Sequence, residues 1–338
     1  MTLPENIYVL LLLTLCVQAF VDLILPYNPS KTRPIFWRFA VVLAEFFEAK
    51  LDRERRSMVT RSLRGAFFLG FLLALGFGLG WLADFFVSIL PALEDGVVFV
   101  SFCLCLGFVK YVKTHTRIWR LVQETPPERA VIVKLFQDSF LPVPRISKDI
   151  EPYLRGGVIS VGYHMTVMLI GPLFWFFVLG YGGMFAYCLI LSAAMTVTRK
   201  EDFDFGWSVR MTARILDLLP GYITAILLFA ASWATIGIKP ISALKSLCRH
   251  FPATLSHGIL VVQSVMAGGV GGVLGGWPQH WYIDKDVKDL WLGGKEDSAR
   301  LRFTQLRAAI RMSVIAYFIL CALVALLCLG NRFTTWVL

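Results

Sequence analysis

Apolar residues run through this chain in long blocks separated by basic segments. The first block, residues 6–25, has the length a bilayer crossing requires, about 20 residues. It lacks a basic start and a small-residue cleavage site, so it reads as a retained first membrane helix. A second block covers about 66–91 and contains Asp84, and a short third covers about 96–112. From Gly156 to Thr198 there is no Asp, Glu, Lys or Arg. That stretch is too long for one crossing. Pro172 and the Gly180-Tyr181-Gly182-Gly183 run interrupt it, so the pattern predicts a helical hairpin. A sixth span over about 215–236 opens with Asp217 and Pro220. A Gly-rich apolar run follows at 254–276, to span or to re-enter, and the last span covers about 312–330. The expected fold is all-α: one membrane domain over 1–338, a polytopic helical bundle of about seven to eight spans with interfacial amphipathic helices.

The polar segments supply the orientation. Ile35 to Leu51 places apolar residues at helical spacing, with Trp37, Phe46 and Phe47, and predicts an interfacial helix. Prolines at 126, 127, 142, 144 and 152 divide 113–155 into short amphipathic pieces. With eight spans, the basic loops 26–65, 113–155, 199–214 and 277–311 share one side, which the positive-inside rule makes cytoplasmic. Both termini then lie outside, and the basic stretch 237–253 is the exception. A re-entrant 254–276 moves the C-terminus inside instead.

Composition agrees with a lipid solvent. Hydrophobic residues make up 57% and charged residues 17% of the chain, against about 25% charged in soluble domains. The net charge of +10 flanks apolar runs rather than forming a stripe on one domain, which points to an anionic membrane and not to nucleic acid. The expected partners are the lipid bilayer, a membrane protein and a second copy of the chain. Most of the seven cysteines lie in apolar runs, where a thiol behaves as a small hydrophobe, so neither disulfides nor a metal site is expected.

Candidate chemistry is sparse. Asp22, Asp84 and Asp217 lie in or beside membrane segments, where a carboxylate is costly and marks function or reaches water at a segment end. His164 falls inside the uncharged stretch, and Ser256, His257 and Gln263 precede the Gly run. Gly268, Gly272 and Gly276 recur every four residues, which on one helix face would admit a neighbouring backbone. A phosphate cradle is the sharper reading of these glycines, but the run lacks the Lys-Ser/Thr ending of a P-loop. No Ser-His-Asp set, metal-ligand spacing or dinucleotide fingerprint is present.

Four stretches in order resemble the cobalamin-biosynthesis membrane proteins, the adenosylcobinamide-phosphate synthases (CobD/CbiB family). They are Val21-Asp22-Leu23-Ile24-Leu25 followed by Arg33-Pro34; Gly171-Pro172-Leu173-Phe174-Trp175-Phe176 with Ala186-Tyr187 beyond; Phe205-Gly206-Trp207 with Asp217-Leu218-Leu219-Pro220; and Met266 to Gly276 with Trp291-Leu292-Gly293. The resemblance implies a bacterial inner-membrane protein. It also implies an ATP- and magnesium-dependent amide ligation of adenosylcobyric acid, an anionic corrinoid, with aminopropanol or its phosphate. Asp22, Asp217, His164, Ser256 and Gln263 become the candidate catalytic residues, and Gly268, Gly272 and Gly276 the candidate cofactor-binding residues. The family's polar set is largely eroded. Tyr163, His164, Val167 and Met168 stand where it has Glu-Asn-x-x-Asp-Gly, and Ile190 to Met195 stand where it has Asn-Thr-x-Asp-Ser-Met. A retained scaffold without the polar set is similar to the AmpE proteins, which implies the alternative role of a non-catalytic sensor or assembly protein.

Overall fold

The computed structural model describes residues 7–24, 34–52, 57–123, 129–138, 149–197, 205–275, 290–294 and 297–337. Several sequence expectations lie outside the described residues: Gly276, Arg33, all of 277–289, Arg199-Lys200, and the prolines at 126, 127, 142 and 144. All regular structure among the described residues is helical, apart from two isolated β-bridges, Gly272–Ser298 and Leu274–Leu292.

The helices are α1 (Ile7–Ile24), α2 (Ile35–Leu51), α3 (Met58–Ile89), α4 (Glu94–Cys105), α5 (Phe108–Gln123), α6 (Arg129–Asp138) and α7 (Glu151–Met165). After a π-helical turn at Thr166–Ile170 come α8 (Gly171–Val197), α9 (Trp207–Leu216), α10 (Leu218–Ala234), α11 (Pro240–Thr254), α12 (Gly258–Val270) and α13 (Phe303–Val337). Four helical stretches are long and apolar enough to cross a membrane: Met58–Ile89, Pro91–Gln123, Glu151–Val197 and Phe303–Leu329. The α9–α10 pair, bent by 44°, makes a fifth if it is counted as one span.

The bundle has an apolar core and is also apolar over much of its exterior. Large apolar side chains such as Phe67, Trp81, Phe85, Ile226, Trp233 and Leu326 stand on the outside. Asp22, His115, Ser160, His164, Asp217 and Gln263 are buried inside. In water so wide an apolar surface would drive aggregation, whereas in a bilayer it costs nothing. The helical membrane fold expected from the sequence is therefore present in outline.

The expected hairpin between Gly156 and Thr198 forms at Gly180. Its φ of 67° and ψ of −155° break the helix, a conformation open to glycine alone. Gly171 lies directly under the Tyr187 phenol, although a straight helix would hold them about 24 Å apart. The chain has therefore folded back. The returning arm packs on α3, where a Cβ on Gly76 would meet the Ala186 backbone and one on Gly80 the Gly182 backbone.

The apolar run 254–276 is not one helix. α12 ends at Val270 because Gly271 adopts the left-handed conformation at φ 65°, and its amide bonds back to Gly268 O. The thirteen residues of α12 span about 20 Å, short of a hydrocarbon core of about 30 Å. Gly268 lies in α12 against Ser242 and Ser246 of α11, while Gly272 lies beyond the helix end against Leu301. Gly268 and Gly272 therefore do not share one helix face. The third expected span is also interrupted: Leu106 is extended (φ −86°, ψ 149°), and Gly107 N bonds to Met168 O in the π turn at 3.3 Å. α2 matches its expected bounds but buries Phe36, Trp37 and Ala40 in the bundle while showing Ile35, Phe39, Val42 and Phe46 outward. It is apolar on two faces, unlike an ordinary interfacial helix.

Candidate functional site

Helix breaks bring the buried polar groups together. The junction of α9 and α10 at Asp217 faces the break between α11 and α12. A Cβ on Gly221 would strike the Gly258 backbone, and one on Gly258 would strike Asp217 O and Leu218 O. Two glycines thus let the two junctions touch. Arg214, one turn before Asp217, donates from Nε to Ser256 O at 3.0 Å and from Nη2 to Ser256 Oγ at 2.8 Å. Ser256 Oγ in turn lies 2.9 Å from His257 Nδ1. These are the carbonyls and hydroxyls a broken helix leaves unpaired, and a cation satisfies them. Asp217 is buried and accepts a hydrogen bond from Tyr187 Oη at 2.6 Å. Trp175 Nε1 holds the preceding carbonyl, Leu216 O, at 3.0 Å.

A second buried network joins α5, α7 and α12. His115 Nδ1 lies 2.6 Å from Tyr111 O, and its Nε2 lies 2.6 Å from Ser160 Oγ. Ser160 Oγ also lies 2.8 Å from Gly157 O. One turn on, His164 Nδ1 lies 2.7 Å from Ser160 O, and its ring stacks on Tyr111 with centroids 3.9 Å apart. Gln263 of α12 donates from Nε2 to Ile159 O at 2.7 Å, and its buried Oε1 has no hydrogen-bond partner among the described residues. A narrow crevice beside His115 has no room for a water molecule.

The remaining candidates stand apart. Asp22 is buried at the end of α1, with Oδ1 3.5 Å from Lys110 Nζ. Asp84 is exposed on α3 and forms no ion pair among the described residues. Ser256 is exposed, although its hydroxyl is held. Among the described residues no three His, Cys, Asp or Glu side chains gather closely enough to share a metal ion.

The sequence pattern links Asp217 to no partner, marks neither His115, Ser160 nor Arg214 as a candidate, and includes Tyr187 only within the resemblance stretch Ala186-Tyr187. His115 stands two residues beyond Lys113, in a stretch read as a polar loop. The signal was there: Tyr111, His115, Ile118 and Val122 recur at helical spacing, and all are buried. Tyr187 and Ser160 carried no local signal, because their partners are 30 and 45 residues away.

Compared with known proteins, the chain matches no family model, no curated protein and no solved structure.

Proposed function

We propose that this chain is a multi-pass protein of the bacterial inner membrane, built on the cobalamin-biosynthesis scaffold and acting as a non-catalytic, AmpE-like sensor or assembly module. One observation carries the reading. The positions where the resemblance places the ligase's polar set are occupied by close-packed core: Tyr163, His164, Val167, Met168, Ile190, Leu191, Ala193 and Ala194 are each 0% exposed. Amide ligation driven by ATP needs carboxylates for magnesium and phosphate, with room for both. On this reading the chain uses neither ATP nor magnesium. Its ligand class is a corrinoid or another anionic small molecule, received on the basic segments 26–65, 113–155 and 277–311, and its further partners are a membrane protein or a second copy. Seven or eight crossings follow if α1, α3, α4–α5, the two hairpin arms, α9–α10 and α13 each cross and α11–α12 either re-enters or adds one more.

The ligase itself is the second reading, favoured by the buried Asp217–Tyr187 pair within the Asp-Leu-Leu-Pro stretch that the family shares. Expression in a strain deleted for cobinamide-phosphate synthase, grown on cobyric acid, separates the two. The module reading expects no growth while the protein is present in the membrane fraction. Growth overturns it and restores the ligase.

A further inference from the structure

The network between α5 and α7 can be counted in protons. A carbonyl oxygen only accepts, so the 2.6 Å contact of His115 Nδ1 with Tyr111 O requires a proton on Nδ1. The neutral ring then has a bare Nε2, which faces Ser160 Oγ at 2.6 Å. Ser160 carries one hydroxyl hydrogen, yet its oxygen has two short contacts, to His115 Nε2 and to Gly157 O at 2.8 Å. Filling all three contacts takes three protons, and a neutral imidazole with a serine supplies two. A third proton on Nε2 completes the set: Nδ1–H to Tyr111 O, Nε2–H to Ser160 Oγ, and Ser160 O–H to Gly157 O. Gly157 O costs nothing when left aside, since it can still accept from its own helix.

We infer that His115 and Ser160 form a buried proton-binding site, in which a proton bound at His115 Nε2 turns the Ser160 hydroxyl from His115 to Gly157 O. No covalent bond changes. The added proton exchanges one hydrogen bond between α5 and α7 for a charge-assisted one in the reverse sense, plus one within α7. Phe108, Val112, Val161, Ile310 and Ser313 line the crevice beside the site, with no charged side chain among them.

On α5, Lys110 is paired with Asp22 of α1, and Lys113, Arg117 and Arg120 follow along the helix. α6 carries Lys134. On α7, Glu151 and Arg155 pair with each other at the start of the helix, and Tyr153, Tyr163 and His164 lie along it. On α13, the Arg307 guanidinium lies over the Trp119 ring, with Arg311 and Tyr317 beyond. α12 contributes no titratable side chain. Of these, His164 stands in ring contact with His115, edge to face with centroids 5.6 Å apart. Among the described residues the bound proton thus has hydrogen-bond acceptors but no carboxylate in contact with it. This suits a site that loads and releases a proton rather than a permanent ion pair.

The test is 15N NMR of histidine-labelled full-length protein in lipid nanodiscs, titrated with acid, with His115→Gln to assign the signals. The expected result at neutral pH is His115 protonated at Nδ1, the minor tautomer of free imidazole, with Nε2 accepting a hydrogen bond. On acidification Nε2 gains a proton while circular dichroism shows the helices intact. In Ser160→Ala the Nδ1–H form persists, and the Nε2 step moves to more acid pH by about one unit, the weight of one hydrogen bond to a charged group. A neutral Nε2–H form, an Nε2 that stays bare until the helices melt, or a step unmoved in Ser160→Ala would each overturn the proposal.

Discussion

At the scale of single residues, the interior polar groups work in pairs whose members are distant in sequence. Tyr187 and Asp217 show the consequence. Their 2.6 Å hydrogen bond joins the returning hairpin arm to the α9–α10 junction in a buried setting. Tyr187→Phe removes the donor without opening a cavity, so the loss is that of the bond itself, about 1–3 kcal/mol. Thermal unfolding in detergent should show this as a lowered midpoint, and an unchanged midpoint would mean that Asp217 finds a replacement donor. The Arg61–Asp52 pair at 2.8 Å, with both side chains almost fully buried, joins the start of α3 to the end of α2 in the same manner. Neither member of such a pair signals the other in the sequence, because a lone Asp or Tyr has no period.

At the scale of elements, close helix approach is decided by which glycines face a neighbour. Gly76 and Gly80 of α3 lie against Ala186 and Gly182, whereas Gly70 and Gly78 of the same helix have nothing nearby. Gly80→Leu must therefore push α3 away from backbone atoms that cannot move aside, at a cost of at least about 2–3 kcal/mol. Gly78→Ala points into open space and should change stability by less than about 1 kcal/mol. Unfolding midpoints for the two variants should separate accordingly, and equal midpoints would refute the assigned contact. The sequence drew attention to Gly268, Gly272 and Gly276 for their four-residue spacing. The structure gives that role to Gly76 and Gly80, also four apart, because α3 continues through both positions while α12 stops at Gly271.

At the scale of the whole molecule, the apolar exterior matches lipid as the solvent, and the hairpin sets a test of orientation. If 113–155 and 199–214 are cytoplasmic, the turn at Gly180 lies on the opposite face. Val178 is exposed beside that turn. A single cysteine at Val178, in a background cleared of the native cysteines, should react with an impermeant maleimide in intact cells. A reaction seen only after permeabilisation would invert the orientation.

Some of this was decided by the sequence alone. Uncharged stretches of bilayer length determine a helical membrane protein, since lipid leaves no other way to satisfy a backbone. The Gly180 run determined the hairpin, because only glycine takes that turn. The bounds of α2 were legible from periodicity. What tertiary structure alone decided is where helices break against one another and which polar side chains then meet. Asp217 with Tyr187, His115 with Ser160, and Gly221 with Gly258 each join segments 30 or more residues apart. Such pairs form because a buried polar group must find a partner wherever the fold has placed one, and that placement is not written within a helix turn of either residue.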